Sequence, residues 1–278
     1  MTTEPLAKAE AAWLPDRATA RPRLPSGLAL GVLASILAGL WIYPLFGAFL
    51  ATIHVPGQAW PFSFAAYGEP LTSSGFGRWM ANSLVTATGV TLGVLAIGAS
   101  CGYAISQLRF PGRRLVWFLV LASFFVPVQA LIVSHFVLMN QMKLLNSWLG
   151  VILPQLIAPM AIIIYKEFFD AVPRQLREAA MLDSATERQM LLRIYLPLSG
   201  GATAGLGIVT FVAAWNNFLW PFLAVTREEE MNVTVAMDMI SGDWLAVAII
   251  VSLPVLLVYL FCNRRILQAV TMTGSVKG

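Results

Sequence analysis

The chain has 278 residues, 58% hydrophobic and only 12% charged, with a mean hydropathy of +0.74. Soluble domains carry roughly 25% charged residues, so this composition excludes a water-soluble globule and puts most of the surface against lipid. The formal charge of +4 comes with no basic helix and no zinc-ligand spacing, so it does not point to nucleic acid.

In chain order, residues 1–27 form a polar tail rich in Ala, Pro and Arg, with Arg17, Arg21 and Arg23. It is predicted to be disordered up to Pro25, since it has too little apolar surface to bury. A bilayer core takes about 20 apolar residues of helix. Six runs meet that length: 28–53, 79–107, 115–138, 148–168, 200–223 and 244–263. None has Asp or Glu in its central part. The first is too long and starts too late for a signal peptide and is predicted to be an uncleaved span. The expected fold class is therefore an all-α polytopic membrane protein with six transmembrane helices.

Within the spans, "GVTLG" (89–93), "GASCG" (98–102) and "GATAG" (201–205) place Gly four apart. That spacing lets helix backbones approach closely, and it predicts bundle packing. Pro127, Pro159, Pro221 and Pro254 are expected to kink or end helices. Cys101 and Cys262 fall near inner helix ends and read as small packing groups, with no disulfide or metal. Trp220 and Trp244 are expected near the outer interface, where Trp anchors. His54 falls in the first outer loop and needs no special role.

Polar residues at membrane depth are few. Asn82 stands near the start of span two, Gln129 and His135 in span three, and Trp215, Asn216 and Asn217 in span five. An amide in hydrocarbon without a partner is costly. Two readings stay open for each: a place in a pathway for a neutral hydroxylated solute, with amides for its hydroxyls and rings for its apolar faces, or hydrogen bonding between helices.

Orientation follows from Lys and Arg. With a cytoplasmic N-terminus, inside segments hold Lys8, Arg17, Arg21, Arg23, Arg109, Arg113, Arg114, Lys166, Arg174, Arg177, Arg188, Arg193, Arg264, Arg265 and Lys277, which is 15 of the 18 basic residues. Outside loops hold Arg78, Lys143 and Arg227. The positive-inside rule then puts both termini and the loop between spans four and five in the cytoplasm.

That loop has helical punctuation. Pro173 suits a first turn, and "RQLREAAMLD" (174–183) runs on good helix formers, with Leu176, Ala179, Ala180 and Leu182 as a small apolar patch. "SATE" (184–187) reads as a capping box in which Ser184 caps a second helix and Glu187 reaches back. Pro197 ends it. An interfacial amphipathic connector is the plain alternative. The small residues beside Glu178 favour close contact with another protein.

"EAAMLDSATERQMLLRIYLP" (178–197) resembles the EAA loop of ATP-binding-cassette importer permeases. Glu178, Ala179, Ala180, Asp183, Ala185, Ile194, Leu196 and Pro197 match its pattern. Ser184 stands where that family usually has Gly. "WNNFLWPFLAV" (215–225) and "TMTGSVKG" (271–278) resemble the carbohydrate-uptake branch, similar to the smaller permease of maltose transporters. The resemblance covers about residues 75–278. It implies a type I importer core over 75–268, with the EAA loop at 171–199 and a cytoplasmic tail at 269–278. It also implies that Glu178, Ala179, Ala180, Asp183, Ser184 and Ala185 couple the chain to a separate ATPase. The implied partners are a second permease, two ATP-binding subunits that hold ATP and Mg, and an extracytoplasmic solute-binding protein that delivers a sugar or sugar-like solute. The membrane would be a bacterial or archaeal inner membrane.

The sequence has no Gly-x-x-x-x-Gly-Lys-Ser/Thr segment to cradle nucleotide phosphates, no nucleophile–base constellation and no metal-ligand cluster. The chain is expected to be non-enzymatic, with no cofactor of its own. An ion-coupled carrier or channel is the competing class. Such carriers place ionisable groups at membrane depth, and the nearest candidate here is His135.

Overall fold

The computed structural model describes residues 27–54 and 62–275, with side chains for 29–54 and 62–261. The predicted tail up to residue 26, the first outer loop from 55 to 61, the side chains of Cys262, Arg264 and Arg265, and Lys277 lie outside the described residues. The chain divides into two units, Met1–Ala51 and Thr52–Gly278. In the first, α1 (Gly27–Ile53) is apolar on every side and contains Pro44. That composition suits a helix surrounded by lipid.

The second unit is organised around α2 (Phe76–Gln107), whose 32 residues span about 48 Å at 1.5 Å per residue. Further along come α3 (Arg113–Phe124), α4 (Ile132–Gln141), α5 (Trp148–Ile152), α6 (Pro159–Asp170), α7 (Arg174–Leu182), α8 (Glu187–Met190), α9 (Gly200–Trp215), α10 (Leu219–Ala224) and α11 (Trp244–Ser275). Helix α11 continues past the predicted core boundary at residue 268.

Glycine explains how α2 packs. A Cβ on Gly89 would stand 2.7 Å from Ile152, and on Gly93 2.4 Å from Leu156. On Gly98 it would meet Ala161 at 3.0 Å, and on Gly102 Tyr165 at 2.8 Å. The two Gly-x-x-x-Gly pairs thus form one groove along α2 that takes α5 and α6. "GATAG" behaves differently. A Cβ on Gly205 would meet nothing within 4 Å, and α9 approaches α2 instead through Gly207, opposite Leu95.

Two of the six predicted spans are bent, not straight, and a third bend stands where the loop enters span five. Arg113–Phe124 meets Val128–Gln141 at 98°, and Trp148–Gln155 meets Pro159–Asp170 at 52°. Glu187–Leu198 meets Gly200–Trp215 at 80°. The first two breaks fall where Pro127 and Pro159 were expected to act. Proline removes an intrahelical donor and clashes with the preceding turn, so the preceding helix ends before it; Pro127 falls in the break, and Pro159 opens the next helix. Span five, read from sequence as continuous over 200–223, stops at Trp215 and restarts at Leu219.

Apolar side chains gather in three clusters. In the largest, Trp79, Val90 and Val94 of α2 meet Phe211 and Trp215 of α9 and Val247 and Val251 of α11. A second joins Tyr103, Tyr165, Phe169, Ala180, Met190 and Tyr195 at the end of the bundle that carries α7. The third, at the opposite end, joins Met139, Val151, Ala224 and Trp220. Trp220 is therefore not the expected interfacial anchor. It is buried, and its indole N–H donates to the carbonyls of Gly150 and Val151. Trp244 is exposed.

Candidate functional site

The EAA-like segment forms α7 and the turn after it. Pro173 is the residue before the first helical turn. The helix ends in a Schellman motif: the Ala185 N–H bonds to the Ala180 carbonyl at 3.0 Å and the Ser184 N–H to the Met181 carbonyl at 3.0 Å. Ser184 is the left-handed residue of that motif, with φ +56°. Glycine adopts this conformation without a Cβ penalty, which accounts for the Gly that the resembling pattern carries here.

The sequence-predicted cap is corrected. Ser184 does not cap the second helix. Thr186 does, accepting from the Gln189 N–H at 3.3 Å while Gln189 Oε1 accepts from the Thr186 N–H at 2.8 Å. Ser184 cannot serve both as the C-terminal left-handed residue of α7 and as the N-cap of α8. The capping box is shifted by two residues, and Thr-x-x-Gln was present to be read.

The two faces of α7 differ. Ala180 turns inward, 8% exposed, into the cluster with Tyr103, Phe169 and Tyr195. Glu178, Ala179 and Asp183 are exposed, together with Met181 and Leu182, the latter 87% exposed. The predicted apolar patch is thus split. Ala180 seats the helix on the rest of the chain and is unavailable to an external partner, while Ala185 is only half-buried.

Arg177 anchors the inward face. Its guanidinium donates to both carboxylate oxygens of Glu187, at 2.6 and 3.2 Å, and to the Tyr103 hydroxyl at 3.1 Å. The Tyr103 O–H in turn donates to Glu187. One guanidinium therefore ties α7, α8 and the end of α2 together. Burial alone would raise the Glu187 carboxyl pKa. The hydrogen bonds from Tyr103 and Arg177, with the charge of Arg177, outweigh it and hold the group below the usual carboxylate range. Nearby, the Tyr195 O–H donates to Gln107 at 2.8 Å, and the Gln107 amide donates to the Phe169 carbonyl at 3.0 Å. Lys166 pairs with Asp170 at 2.6 Å. Glu187 was expected to reach back in a capping box but instead pairs with Arg177; the contacts among Arg177, Tyr103 and Tyr195 were not anticipated from sequence. These residues are distant along the chain and share no periodicity.

The polar residues of the spans fall into two groups. Asn82 is buried, with its amide donating to the carbonyls of Glu229 and Met231 at 2.9 and 3.0 Å and its Oδ1 accepting from the Trp148 indole at 2.9 Å. Trp215 is buried and donates to the Val251 carbonyl at 3.2 Å. Both act as links between segments. Asn216 and Asn217 occupy the break between α9 and α10. Asn217 donates to Gln155 Oε1 at 2.7 Å, joining this break to the one before α6. Asn216 is exposed, near the stacked and exposed rings of Phe218 and Phe222. His135 is half-buried with its ring 5.9 Å from that of Trp220, and Gln129 is exposed in the turn after Pro127. The sequence candidates therefore do not form one cluster. Gln155 is the partner that sequence reading missed.

Long apolar helices, bent pairs whose breaks are joined by amides, and a charged helical loop at one end define the class: a polytopic membrane protein of a transport type. Residues 89–271 match the family described as binding-protein-dependent transport system inner membrane component, and the chain belongs to that family. It is 28% identical over 207 residues to the arabinooligosaccharides transport system permease protein of Halalkalibacterium halodurans, covering 72% of this chain and 74% of that one. It is 29% identical over 253 residues to the diacetylchitobiose uptake system permease protein of Streptomyces coelicolor, covering 85% and 82%. Among solved structures, a bacterial ABC transporter involved in the import of the acidic polysaccharide alginate matches with a TM-score of 0.73 at 25% identity, covering 86% of this chain and 95% of that one. The chain has the type I importer permease fold and is a permease subunit of an ABC importer.

Proposed function

We propose that this permease moves a sugar or sugar-like solute into the cytoplasm, as one half of a pathway completed by a second, different permease. The relatives named above handle arabinooligosaccharides and diacetylchitobiose, which supports a carbohydrate solute. ATP and Mg are held by two separate ATP-binding subunits. An extracytoplasmic binding protein delivers the solute, and a structure with the same fold is an alginate transporter in complex with a pentasaccharide-bound periplasmic protein. Both termini and the α7 loop lie in the cytoplasm, a reading supported by the distribution of Lys and Arg. A cysteine at position 188, probed on intact cells with an impermeant thiol reagent in a background lacking native cysteines, should stay unlabelled while one at 229 reacts.

One observation carries the coupling assignment: α7 is bolted to α2 on one face and bare on the other. The bare face, with Glu178, Ala179, Leu182 and Asp183, docks in the ATPase. A carboxylate there can make a charge-assisted bond worth about 1.5–3 kcal/mol. The Arg177–Glu187–Tyr103 contact passes the displacement to α2. Asn216 and Asn217 lie beside the solute pathway, because irregular backbone at membrane depth is tolerated where it lines a water-filled cavity or is covered by protein. The test is co-purification of the ATPase with wild-type, Glu178→Ala and Ala179→Trp permeases. Both variants should insert normally and release the ATPase. Full retention by both would overturn the docking assignment.

A further inference from the structure

A cavity of about 720 Å³ opens at the end of the bundle that carries α7, lined by Arg109, Arg113, Arg114, Lys166, Ile105, Phe110, Gly112 and Trp117. Its walls come from three elements: the end of α2 and the turn after it, the first turn of α3, and α6. Four basic side chains line it and no acidic one does. Lys166 is already balanced by Glu167 and Asp170 and lies over the Trp117 ring at 4.6 Å. Arg113 donates to the Leu108 carbonyl at 3.3 Å. None of Arg109, Arg113 and Arg114 makes an ion pair with another described residue. Three positive charges thus face one hollow without a counter-charge.

The surroundings say what kind of anion fits. The next residues of α3, Leu115, Phe118 and Leu119, are large, apolar and exposed. A soluble anion would leave them bare. A phospholipid satisfies both parts: a phosphate takes forked donors from arginine, and acyl chains cover the apolar residues. Trp117, with its ring in the cavity wall, has the amphipathic character that favours the headgroup boundary.

We propose that this cavity seats the headgroup phosphate of an anionic phospholipid of the leaflet facing the ATPase, held by Arg109, Arg113 and Arg114. The leaflet, though not the site, rests on the orientation given above. Each basic residue near an anionic bilayer surface contributes about fivefold in affinity, so removing two should weaken binding about twenty-five-fold.

The intact transporter would be placed in nanodiscs of phosphatidylcholine with a minority of phosphatidylglycerol, and lipids retained after detergent extraction counted by native mass spectrometry. Both leaflets carry the same lipids there, so an error in orientation leaves the readout unchanged. Wild type should retain phosphatidylglycerol selectively. Arg109→Gln/Arg114→Gln should lose that selectivity while keeping its ATPase. Arg193→Gln, an exposed arginine outside the cavity, should behave as wild type. Equal retention of phosphatidylcholine by wild type, equal loss in Arg193→Gln, displacement of the lipid by millimolar inorganic phosphate, or loss of the ATPase from the double variant would each overturn the proposal. The last would make the cavity a subunit contact.

Discussion

The two ends of span five are built on different principles. Before it, α7 and α8 are held to α2 by one guanidinium, one carboxylate and the Tyr103 hydroxyl, and the next turn by Tyr195 donating to Gln107. Beyond its α9 half, α9 gives way to α10 through a break secured by neutral amides, Asn217 to Gln155. Charged groups at the loop end can exchange with water, so the clamp tolerates movement of the loop as a body. At the break, the Asn217–Gln155 bond is neutral and only partly buried. The contrast fits the proposed coupling, in which the ATPase acts on the loop end while the solute passes beside the amide break.

The largest expected effect breaks the loop end. Ala180→Trp puts an indole into a filled cluster, where overpacking costs about 1–3 kcal/mol or more. The variant should fail to accumulate in the membrane, whereas Ala179→Trp, one residue away on the bare face, should accumulate normally. Quantitative immunoblotting of membrane fractions distinguishes them, and equal accumulation would remove the distinction between the faces.

Next is the amide hinge. Asn217→Leu and Gln155→Leu should each lower thermal stability, and the double variant should show a coupling of about 0.5–1.5 kcal/mol, as for a neutral hydrogen bond. Additive losses would mean that the two breaks are independent.

The ionic clamp has a pH signature. Because the Glu187 carboxyl is held below its ordinary value, the folded state binds fewer protons there than the unfolded chain. Its contribution is fully present above the ordinary carboxylate pKa and is lost as pH falls through the lowered one. Glu187→Gln should therefore flatten the loss of stability on acidification below about pH 4.5 compared with wild type. The effect is small, since Glu187 is half exposed and solvent screens it. An unchanged acid limb would show that the pair is not linked to folding.

The smallest effect concerns Ser184. Relief of the left-handed strain is worth about 1 kcal/mol, partly offset by the greater unfolded freedom of Gly. Ser184→Gly should be neutral to slightly stabilising and Ser184→Val destabilising, as read from melting temperatures. The reverse order would contradict the Schellman assignment.

How much of this was legible follows from the range of each interaction. The helical runs, the loop helix and the Gly groove of α2 rest on local hydrophobicity and spacing and fall near the expected residues, whereas the bends within the spans and the end of span five at Trp215 depend on packing. Ser184 was misassigned because Ser-x-x-Glu and Thr-x-x-Gln overlap in "SATERQ", and only the backbone decides which hydroxyl caps. The inward turn of Ala180 depends on where Tyr103 and Tyr195 sit, and no local pattern encodes that. Asn82 and Trp215 are polar-bearing groups in apolar runs, so pathway and packing looked alike until their partners were visible.

The claim most exposed to test is that Arg177 carries motion from the ATPase into α2. The direct measurement is solute transported per ATP hydrolysed in proteoliposomes containing the assembled transporter with Arg177→Met. The account predicts that the ATPase stays bound and hydrolyses ATP while solute carried per ATP falls several-fold. An unchanged ratio, with the ATPase bound, would contradict it.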